Sequence, residues 1–308
     1  MTRFASRSLA AVAALVVSTA CQSAPVTRTS AATTPAPTSA GARQIRLQGD
    51  FKAPLGVQLY TFRVLAKQDP VAMLDTVRRL GFTHVEGGST YGMPMERYLE
   101  VLKSKGLRTT SMLASYEKFR DSSDAIVAQA KALGAKYAGI AWYPHQGAFT
   151  EADARKAITD FNVFGRKMKD AGLTFVYHNH GYEPQPFGDG TLLDLIIRET
   201  DPALVKFEMD VLWTWLPGAD PVALIKKYPG RFKLMHIKDL KPGLPRGSLT
   251  GGLPEEQQAA PGEGQVPWAA LLKAAEEDGF EYYYIEDETP TPLVGVPKTI
   301  TFLERLKY

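Results

Sequence analysis

The chain has 308 residues, a formal net charge of +3 and a single cysteine. Its lysines and arginines are spread along the sequence and form no basic cluster interleaved with stacking aromatics, which argues against a nucleic-acid-binding surface. One cysteine excludes an internal disulfide, so a folded domain of this length must rely on a large hydrophobic core.

The first 21 residues have the pattern of an export signal. Arg3 and Arg7 precede an apolar run from Leu9 to Val17, and small residues then lead to Cys21. This run is too short to span a bilayer as a mature helix. We expect a lipoprotein-type signal peptide, after which Cys21 is the lipidated N-terminus of an exported protein, either periplasmic or membrane-anchored. An ordinary cleaved signal or an uncleaved anchor is the alternative.

Residues 22–43 are rich in Ala, Thr, Pro and Ser and predict a disordered linker, because such a segment cannot bury enough apolar surface to fold. Residues 44–308 then alternate between helical and strand-like patterns. Six helical patterns end in a glycine that is followed at once by a strand-like run, at Gly81, Gly106, Gly134, Gly172, Gly230 and Gly279. Glycine adopts the left-handed conformation that often closes a helix.

Further strands at Leu55–Tyr60 and Val205–Met209 bring the strand count to eight. Eight strands alternating with helices predict an α/β fold, a single (β/α)₈ TIM barrel, which typically takes about 250 residues. An open doubly wound sheet is the alternative. The longest irregular segment, residues 241–266, would follow the seventh strand at the face where barrel enzymes bind substrate. We expect a lid or a substrate-contacting loop there, or else a disordered insertion.

Four ligand-type side chains stand where predicted strands end. They are His178, Asp210, His236 and Glu286. Two histidines and two carboxylates on consecutive parallel strands would converge at one end of the barrel and could hold a divalent metal. Glu183, just beyond the fifth strand, could replace His178 as a ligand.

Three further residues are candidates for catalysis beside Glu286. Glu86 would act as a general base or bind a sugar hydroxyl, and His180 shares a strand face with His178. Lys238 shares a face with His236 and would contact a substrate oxygen, or else pair with Glu208 or Asp239. The candidates for substrate binding are Gln58 and Tyr60 on one face of the first strand, His145, and Trp213, whose ring suits the apolar face of a sugar.

In their order along the chain, these residues resemble the sugar phosphate isomerase/epimerase family, the xylose-isomerase-like barrels. The resemblance covers about residues 55–308 and rests on Gly56–Tyr60, Val85–Glu86, Tyr177–His180 with Glu183, Asp210, His236–Asp239 and Glu286. It implies a divalent metal, Mn²⁺ or Co²⁺ foremost and Zn²⁺, Fe²⁺ or Mg²⁺ as alternatives. In the family, Glu, Asp, His and Glu hold the metal, whereas here His178 stands at the first position.

The chemistry that such a site supports is proton abstraction next to a carbonyl, through an enediolate. We expect a metal-dependent isomerase or epimerase, with a lyase or dehydratase of a keto-sugar or 3-keto-glycoside as the alternative. A non-catalytic sugar-binding lipoprotein is the third reading. Export and the lack of a clear phosphate clamp indicate an unphosphorylated carbohydrate. We expect no nucleic-acid partner, and no membrane contact except through the lipid anchor.

Overall fold

The computed structural model describes residues 43–308, and these form a closed barrel of eight parallel strands. The strands are β1 (Leu55–Gln58), β2 (His84–Glu86), β3 (Arg108–Ala114), β4 (Tyr137–Ile140), β5 (Thr174–His178), β6 (Val205–Asp210), β7 (Phe232–Ile237) and β8 (Tyr282–Ile285). Each strand pairs with its sequence neighbours, and β8 pairs with β1 to close the barrel. The predicted (β/α)₈ barrel is confirmed, and the open doubly wound sheet is excluded.

Helices follow the strands and pack around the barrel. They are α1 (Arg63–Gln68), α2 (Pro70–Arg79), α3 (Met95–Lys105), α4 (Tyr116–Leu133), α5 (Glu151–Asp170), α6 (Leu192–Glu199), α7 (Val211–Trp215), α8 (Pro221–Lys227), α9 (Trp268–Asp278) and α10 (Pro292–Arg305). Asp69 and Asp220 cap α2 and α8 by accepting hydrogen bonds from first-turn amides. Gly106 closes α3 with a φ of 65°, as its position in the sequence predicts.

The predicted signal peptide with Cys21, and residues 22–42 of the predicted linker, lie outside the described residues. The backbone N–H of Arg43 donates to Arg79 O at 3.0 Å, and its guanidinium pairs with Glu304 at 2.6 Å. The chain is therefore attached to the barrel one residue before the predicted boundary. Within residues 43–308, no helix is long and apolar enough to cross a membrane.

A small apolar cluster fixes which side chains reach the C-terminal end of the barrel. Its buried members are Tyr137, Val176, Leu234 and Tyr284. Side chains alternate between the two faces of a strand, so the residue two positions further on points to the same side. The residues two positions after the last three members are His178, His236 and Glu286. The register between neighbouring strands then places Gln58 opposite Glu86, His178 opposite Glu208, and Asp210 opposite His236.

Two local predictions differ from the structure. Strand β1 ends at Gln58, because its side chain accepts a hydrogen bond from the backbone N–H of Tyr60 (3.1 Å) and starts a 3₁₀ turn. Tyr60 therefore does not share a strand face with Gln58, and it is 54% exposed. In the loop after β7, Gln258–Ala259 pairs antiparallel with Asp239–Leu240, so the middle of this loop is not an unstructured insertion.

Candidate metal centre and active site

Seven ionisable side chains converge, buried, at the C-terminal end of the barrel. Glu86 comes from the end of β2, and the others come from the ends of β5 to β8. These others are His178, Glu208, Asp210, His236, Lys238 and Glu286. The cluster contains the whole predicted metal set and three of the four residues predicted to be catalytic.

One oxygen of Asp210 lies at the centre of this cluster. Its Oδ1 accepts a hydrogen bond from the backbone N–H of Trp213 at 3.0 Å. Its Oδ2 is buried and has no hydrogen-bond partner among residues 43–308. Three nitrogens surround Oδ2: His178 Nε2 and Lys238 Nζ at 3.8 Å, and His236 Nδ1 at 3.9 Å. Two ligands that each lie about 2.1 Å from one metal ion are roughly 3 to 4 Å apart, so this spacing fits a shared ion.

Glu286 extends this set from the residue after β8. Its Oε2 lies 3.1 Å from His236 Nδ1. Burial alone would raise the pKa of Glu286, but the charges of Lys238 and His236 hold it well below its usual value. Glu286 is therefore a carboxylate at neutral pH, which is the form that ligates metals.

Lys238 is the buried ammonium group of this cluster. Its Nζ lies 3.0 Å from Glu286 Oε2 and 2.9 Å from Glu288 Oε2. The described barrel shows no ion pair from Lys238 to Glu208 or Asp239, the partners that the sequence left open. Burial alone would lower the pKa of Lys238, but the surrounding carboxylates, Glu286 foremost, raise it above its ordinary value.

Glu208 and Glu86 lie behind the two histidines. Glu208 Oε2 is 3.1 Å from His178 Nδ1 and 3.4 Å from His236 Nε2. Glu86 Oε2 is 2.5 Å from the same His236 nitrogen and accepts a hydrogen bond from Gln58 Nε2 at 2.7 Å. His178 Nδ1 and His236 Nε2 thus lie against these carboxylates, while His178 Nε2 and His236 Nδ1 face Asp210 Oδ2. Carboxylates in this position fix the tautomer and the orientation of a metal-ligating imidazole.

Sequence reasoning missed Glu208 as a functional residue. It stands two positions before Asp210 on the same face of β6, and this spacing was the available signal. Glu86 is fully buried against His236, a position that favours orienting the imidazole over the predicted contact with substrate. Its catalytic role stays a prediction.

The charges in the cluster fit a divalent cation. Burial lowers the pKa of His178 well below its usual range, so this imidazole is neutral. Burial alone would also lower the pKa of His236, but Glu208, Glu286 and Glu86 raise it well above its usual value. His236 therefore holds a proton that a metal ion would displace. Nitrogen and carboxylate ligands together suit Mn²⁺, Co²⁺, Zn²⁺ or Fe²⁺.

His180 and Trp213 lie next to the cluster. Burial lowers the pKa of His180 to about 3, and its Nδ1 has no hydrogen-bond partner in the described part of the chain. The Trp213 ring stacks on His180 with centroids 5.7 Å apart, and Lys238 Nζ lies 5.6 Å from the same ring. A neutral imidazole, an ammonium group and an indole face therefore meet at one place.

Glu183 makes other contacts than those of a metal ligand. Its carboxylate accepts hydrogen bonds from the backbone N–H of His180, at 2.8 and 3.0 Å, and from the Tyr177 hydroxyl at 2.5 Å. Burial raises its pKa to about 8. Over residues 43–308, the groups with metal-ligand spacing are His178–Asp210–His236 and Glu86–Glu208–His236. Neither includes Glu183 or Glu286, but Glu286 Oε2 lies 3.1 Å from His236 Nδ1, whereas Glu183 is engaged by Tyr177 and His180.

The remaining predicted substrate contacts lie at the rim of the cluster. Gln58 and the exposed Tyr60 line a cavity of about 500 Å³ beside the end of β2. His145 is part of an aromatic group after β4, where its ring lies 5.4 Å from Trp142 and 4.3 Å from Tyr182. The structure does not bring His145 into the buried cluster.

Comparison with known proteins identifies the family. A family model described as xylose isomerase-like TIM barrel matches residues 74–306. The chain belongs to the xylose isomerase-like TIM barrel family. A sugar phosphate isomerase/epimerase from Parabacteroides distasonis is 26% identical, with a TM-score of 0.64, and the match covers 83% of this chain and 95% of that one.

Two further matches are to an inosose dehydratase and to the IOLI protein. The chain is 26% identical over 156 residues to an inosose dehydratase of Clostridium beijerinckii, which covers 48% of this chain and 51% of that protein. It thus spans about half the length of the curated relatives it matches. The IOLI protein, solved with a bound zinc atom, shares the fold at 15% identity with a TM-score of 0.62, over 82% of this chain and 95% of that one.

The position of Glu208 in this xylose isomerase-like barrel leads to a first prediction. Glu208→Gln should weaken metal binding by about 10- to 100-fold, because an amide oxygen is a weaker acceptor than a carboxylate for the His178 Nδ1–H and its NH₂ group can turn toward the imidazole. Competition with a chromogenic chelator measures the affinity, and circular dichroism checks the fold. Glu183→Gln is the matched control, a buried carboxyl that touches neither His178 nor His236. Equal affinity in wild type and Glu208→Gln would refute the orienting role.

Proposed function

We propose that this protein is a divalent-metal-dependent enzyme that removes a proton next to the carbonyl of an unphosphorylated sugar or keto-sugar, and so acts as an isomerase or epimerase. The observation that supports this best is the unpartnered Asp210 Oδ2 with two imidazole nitrogens 3.8 and 3.9 Å away. A buried polar atom without a partner costs stability unless a ligand satisfies it.

The metal would be held by the four residues predicted from the sequence, His178, Asp210, His236 and Glu286. A bound divalent ion polarises a carbonyl and stabilises negative charge on its oxygen. Manganese and cobalt are the first candidates, and the zinc of the IOLI protein supports testing zinc beside them.

The chain's own residues supply the proton transfer and the positioning. The Nδ1 of His180 has no hydrogen-bond partner among residues 43–308, so it is free to accept a proton from a carbon beside the carbonyl. Because burial makes this imidazole a weak base, the metal would have to acidify that carbon. The Lys238 ammonium can donate a hydrogen bond to a substrate oxygen and stabilise charge that develops there. Trp213 is only 5% exposed, and its ring lies against His180 and Lys238, so it holds these two groups in position beside the substrate.

A lyase or dehydratase is the second candidate. The matches to inosose dehydratases favour it. The contacts of Glu183 favour it as well, because both of its oxygens are engaged by Tyr177 and the backbone of His180. Glu286 is then the one glutamate in the predicted ligand set. An epimerase that uses two metal-bound glutamates, one on each face of the substrate, is therefore less well supported than a lyase.

Product analysis in D₂O tests both candidates. The purified protein is loaded in turn with Mn²⁺, Co²⁺ or Zn²⁺ and incubated with sugars, keto-sugars and 3-keto-glycosides. An isomer of the substrate in which one carbon-bound hydrogen is replaced by deuterium supports an isomerase or epimerase, and loss of water or of an aglycone supports a lyase. A protein that binds metal stoichiometrically but converts none of these compounds would contradict both and favour a sugar-binding protein.

We also propose export to the periplasm or membrane with a lipid on Cys21, from the sequence pattern alone. Cell fractionation of the full chain beside Cys21→Ser tests this proposal. Release of the variant from a membrane-bound to a soluble fraction is the expected result. An unchanged distribution would rule out anchoring through Cys21.

A further inference from the structure

A cavity of about 1050 Å³ opens beside the metal centre and is not used by the chemistry proposed above. Its wall includes residues just beyond the ends of β2, β3 and β4, such as Gly88, Ser115 and Ala141. The metal centre lies at the ends of β5 to β8, so both occupy the C-terminal end of one barrel. None of the seven ionisable side chains of the metal centre lines the cavity, so it is a place for binding rather than for chemistry.

Trp142 connects the cavity to the metal centre. It lines the cavity, is 46% exposed, and its ring lies edge-on to His180 with centroids 5.1 Å apart. His180 in turn lies 4.9 Å from the His178 ring. If one ring of a ligand lies beside His180, the next ring of the same ligand would therefore lie next to the exposed part of the Trp142 side chain.

The lining of the cavity suits a carbohydrate ring. Trp142 and Tyr91 offer aromatic surface, while Ser89, Thr90 and Lys118 offer hydroxyl and ammonium groups. Aromatic faces pack against the C–H face of a sugar, and the polar groups can hydrogen-bond its hydroxyls. The volume exceeds what one sugar needs, because pockets for whole drug-sized ligands span about 300–1,000 Å³.

Tyr91 gives a second, independent observation at this place. It is the non-glycine residue with a positive φ (54°) among residues 43–308, a conformation that is costly for an aromatic side chain. It lines both this cavity and the smaller one that Gln58 lines. Its ring packs against Tyr98 with centroids 6.3 Å apart, so this backbone conformation holds an aromatic side chain in place at the wall of the cavity.

From these observations we infer that the cavity beside Trp142 is a subsite for a second sugar ring, so that the substrate is a glycoside of at least two rings. The inference rests on the proposed function for the position of the reacting ring at the metal centre. It goes beyond the 3-keto-glycoside alternative by assigning a position for the second ring and the residues that would contact it.

The test compares one-ring and two-ring sugars by isothermal titration calorimetry on the full chain loaded with Mn²⁺. The probes are glucose and galactose against cellobiose, maltose and lactose. We expect at least one disaccharide to bind about three- to tenfold more tightly than its component monosaccharides, the range that one aromatic stacking contact provides. Trp142→Ala should remove this preference, and Trp142→Phe should retain most of it.

Ala128→Trp is a second variant that does not depend on removing the indole. Ala128 is an exposed residue of α4 that lines the cavity, so a large side chain there should fill it without disturbing the core. We expect this variant to lose more affinity for the disaccharide than for the monosaccharides. Leu293→Ala, an exposed apolar position on α10, is the control and should leave the preference unchanged.

The outcomes separate the subsite from the proposed function. Equal binding of one-ring and two-ring sugars, or a preference that survives both Trp142→Ala and Ala128→Trp, would overturn the subsite even if a monosaccharide is converted. A disaccharide preference that depends on Trp142, in a protein that converts no sugar with any metal, would support the subsite and refute the proposed reaction.

Discussion

Asp210→Asn should remove the bound metal and nearly all activity while the metal-free protein stays folded. Asparagine keeps the oxygen that accepts the Trp213 N–H, but it loses the negative charge beside His178 and His236. We expect metal content to fall from about one equivalent to near zero, and activity to fall at least about a thousandfold, equal to about 4 kcal/mol. Elemental analysis and the D₂O assay measure these two quantities.

The same variant should be more stable than the metal-free wild type at alkaline pH. Burial raises the pKa of Asp210 from 3.8 to about 6, so the folded state holds a proton that the unfolded state releases. Stability of the wild type therefore falls as the pH rises from about 4 to about 6, and the loss is present above that range. Asparagine removes this cost, which is of the order of 1–3 kcal/mol. Urea denaturation with EDTA at pH 4 and pH 8 measures the difference.

Asp239→Asn is the matched control for the predicted loss of metal in Asp210→Asn. Asp239 is also a buried aspartate beside β7, but it accepts hydrogen bonds from the Trp268 indole and from backbone amides such as that of Val266. Its loss should cost about 1–3 kcal/mol of stability and leave metal binding intact. Full metal retention by Asp210→Asn would contradict the assignment of Asp210 as a ligand.

The barrel was predictable because each of its signals is local. A glycine that must adopt a positive φ marks the end of a helix, as Gly106 does, and an acidic residue before a proline marks a start, as Asp69 does. The convergence of His178, His236 and Glu286 was predictable for a related reason. Parallel strands that close a barrel bring the residues at their carboxyl ends to one place.

What the sequence did not reveal depends on register and on side-chain contacts. Glu208 is one of three charged residues in β6, with Lys206 and Asp210, and only the pairing of β5 with β6 sets it against His178. Tyr60 continues a strand pattern, but the Gln58 side chain captures its amide and turns the chain. Such contacts form between specific atoms, so residue type and spacing do not determine them.

Lys238→Met should destabilise the protein strongly, and more so without metal than with it. The Lys238 ammonium is buried between Glu286 and Glu288, and Asp210 Oδ2 is 3.8 Å away. Removing one partner of a buried ion pair leaves uncompensated charge and costs about 3–5 kcal/mol. A divalent ion bound nearby would neutralise part of that charge and stabilise the folded state that binds it. Urea denaturation with EDTA and with saturating Mn²⁺ measures both costs.

Measuring the activity of Lys238→Met distinguishes a role of Lys238 in stability from a role in contacting the substrate. With metal restoring the stability, we still expect conversion to fall about 100- to 1,000-fold, since a donor aimed at a substrate oxygen is lost. Lys307→Met is the control, because Lys307 pairs with Asp50 at the same 3.0 Å as Lys238 with Glu286 but is exposed. Exposed pairs contribute about 0–1 kcal/mol, so this variant should behave as wild type. If Lys238→Met were as active as wild type once metal had restored its stability, Lys238 would serve only to compensate buried carboxylates, and the proposed contact with substrate would be wrong.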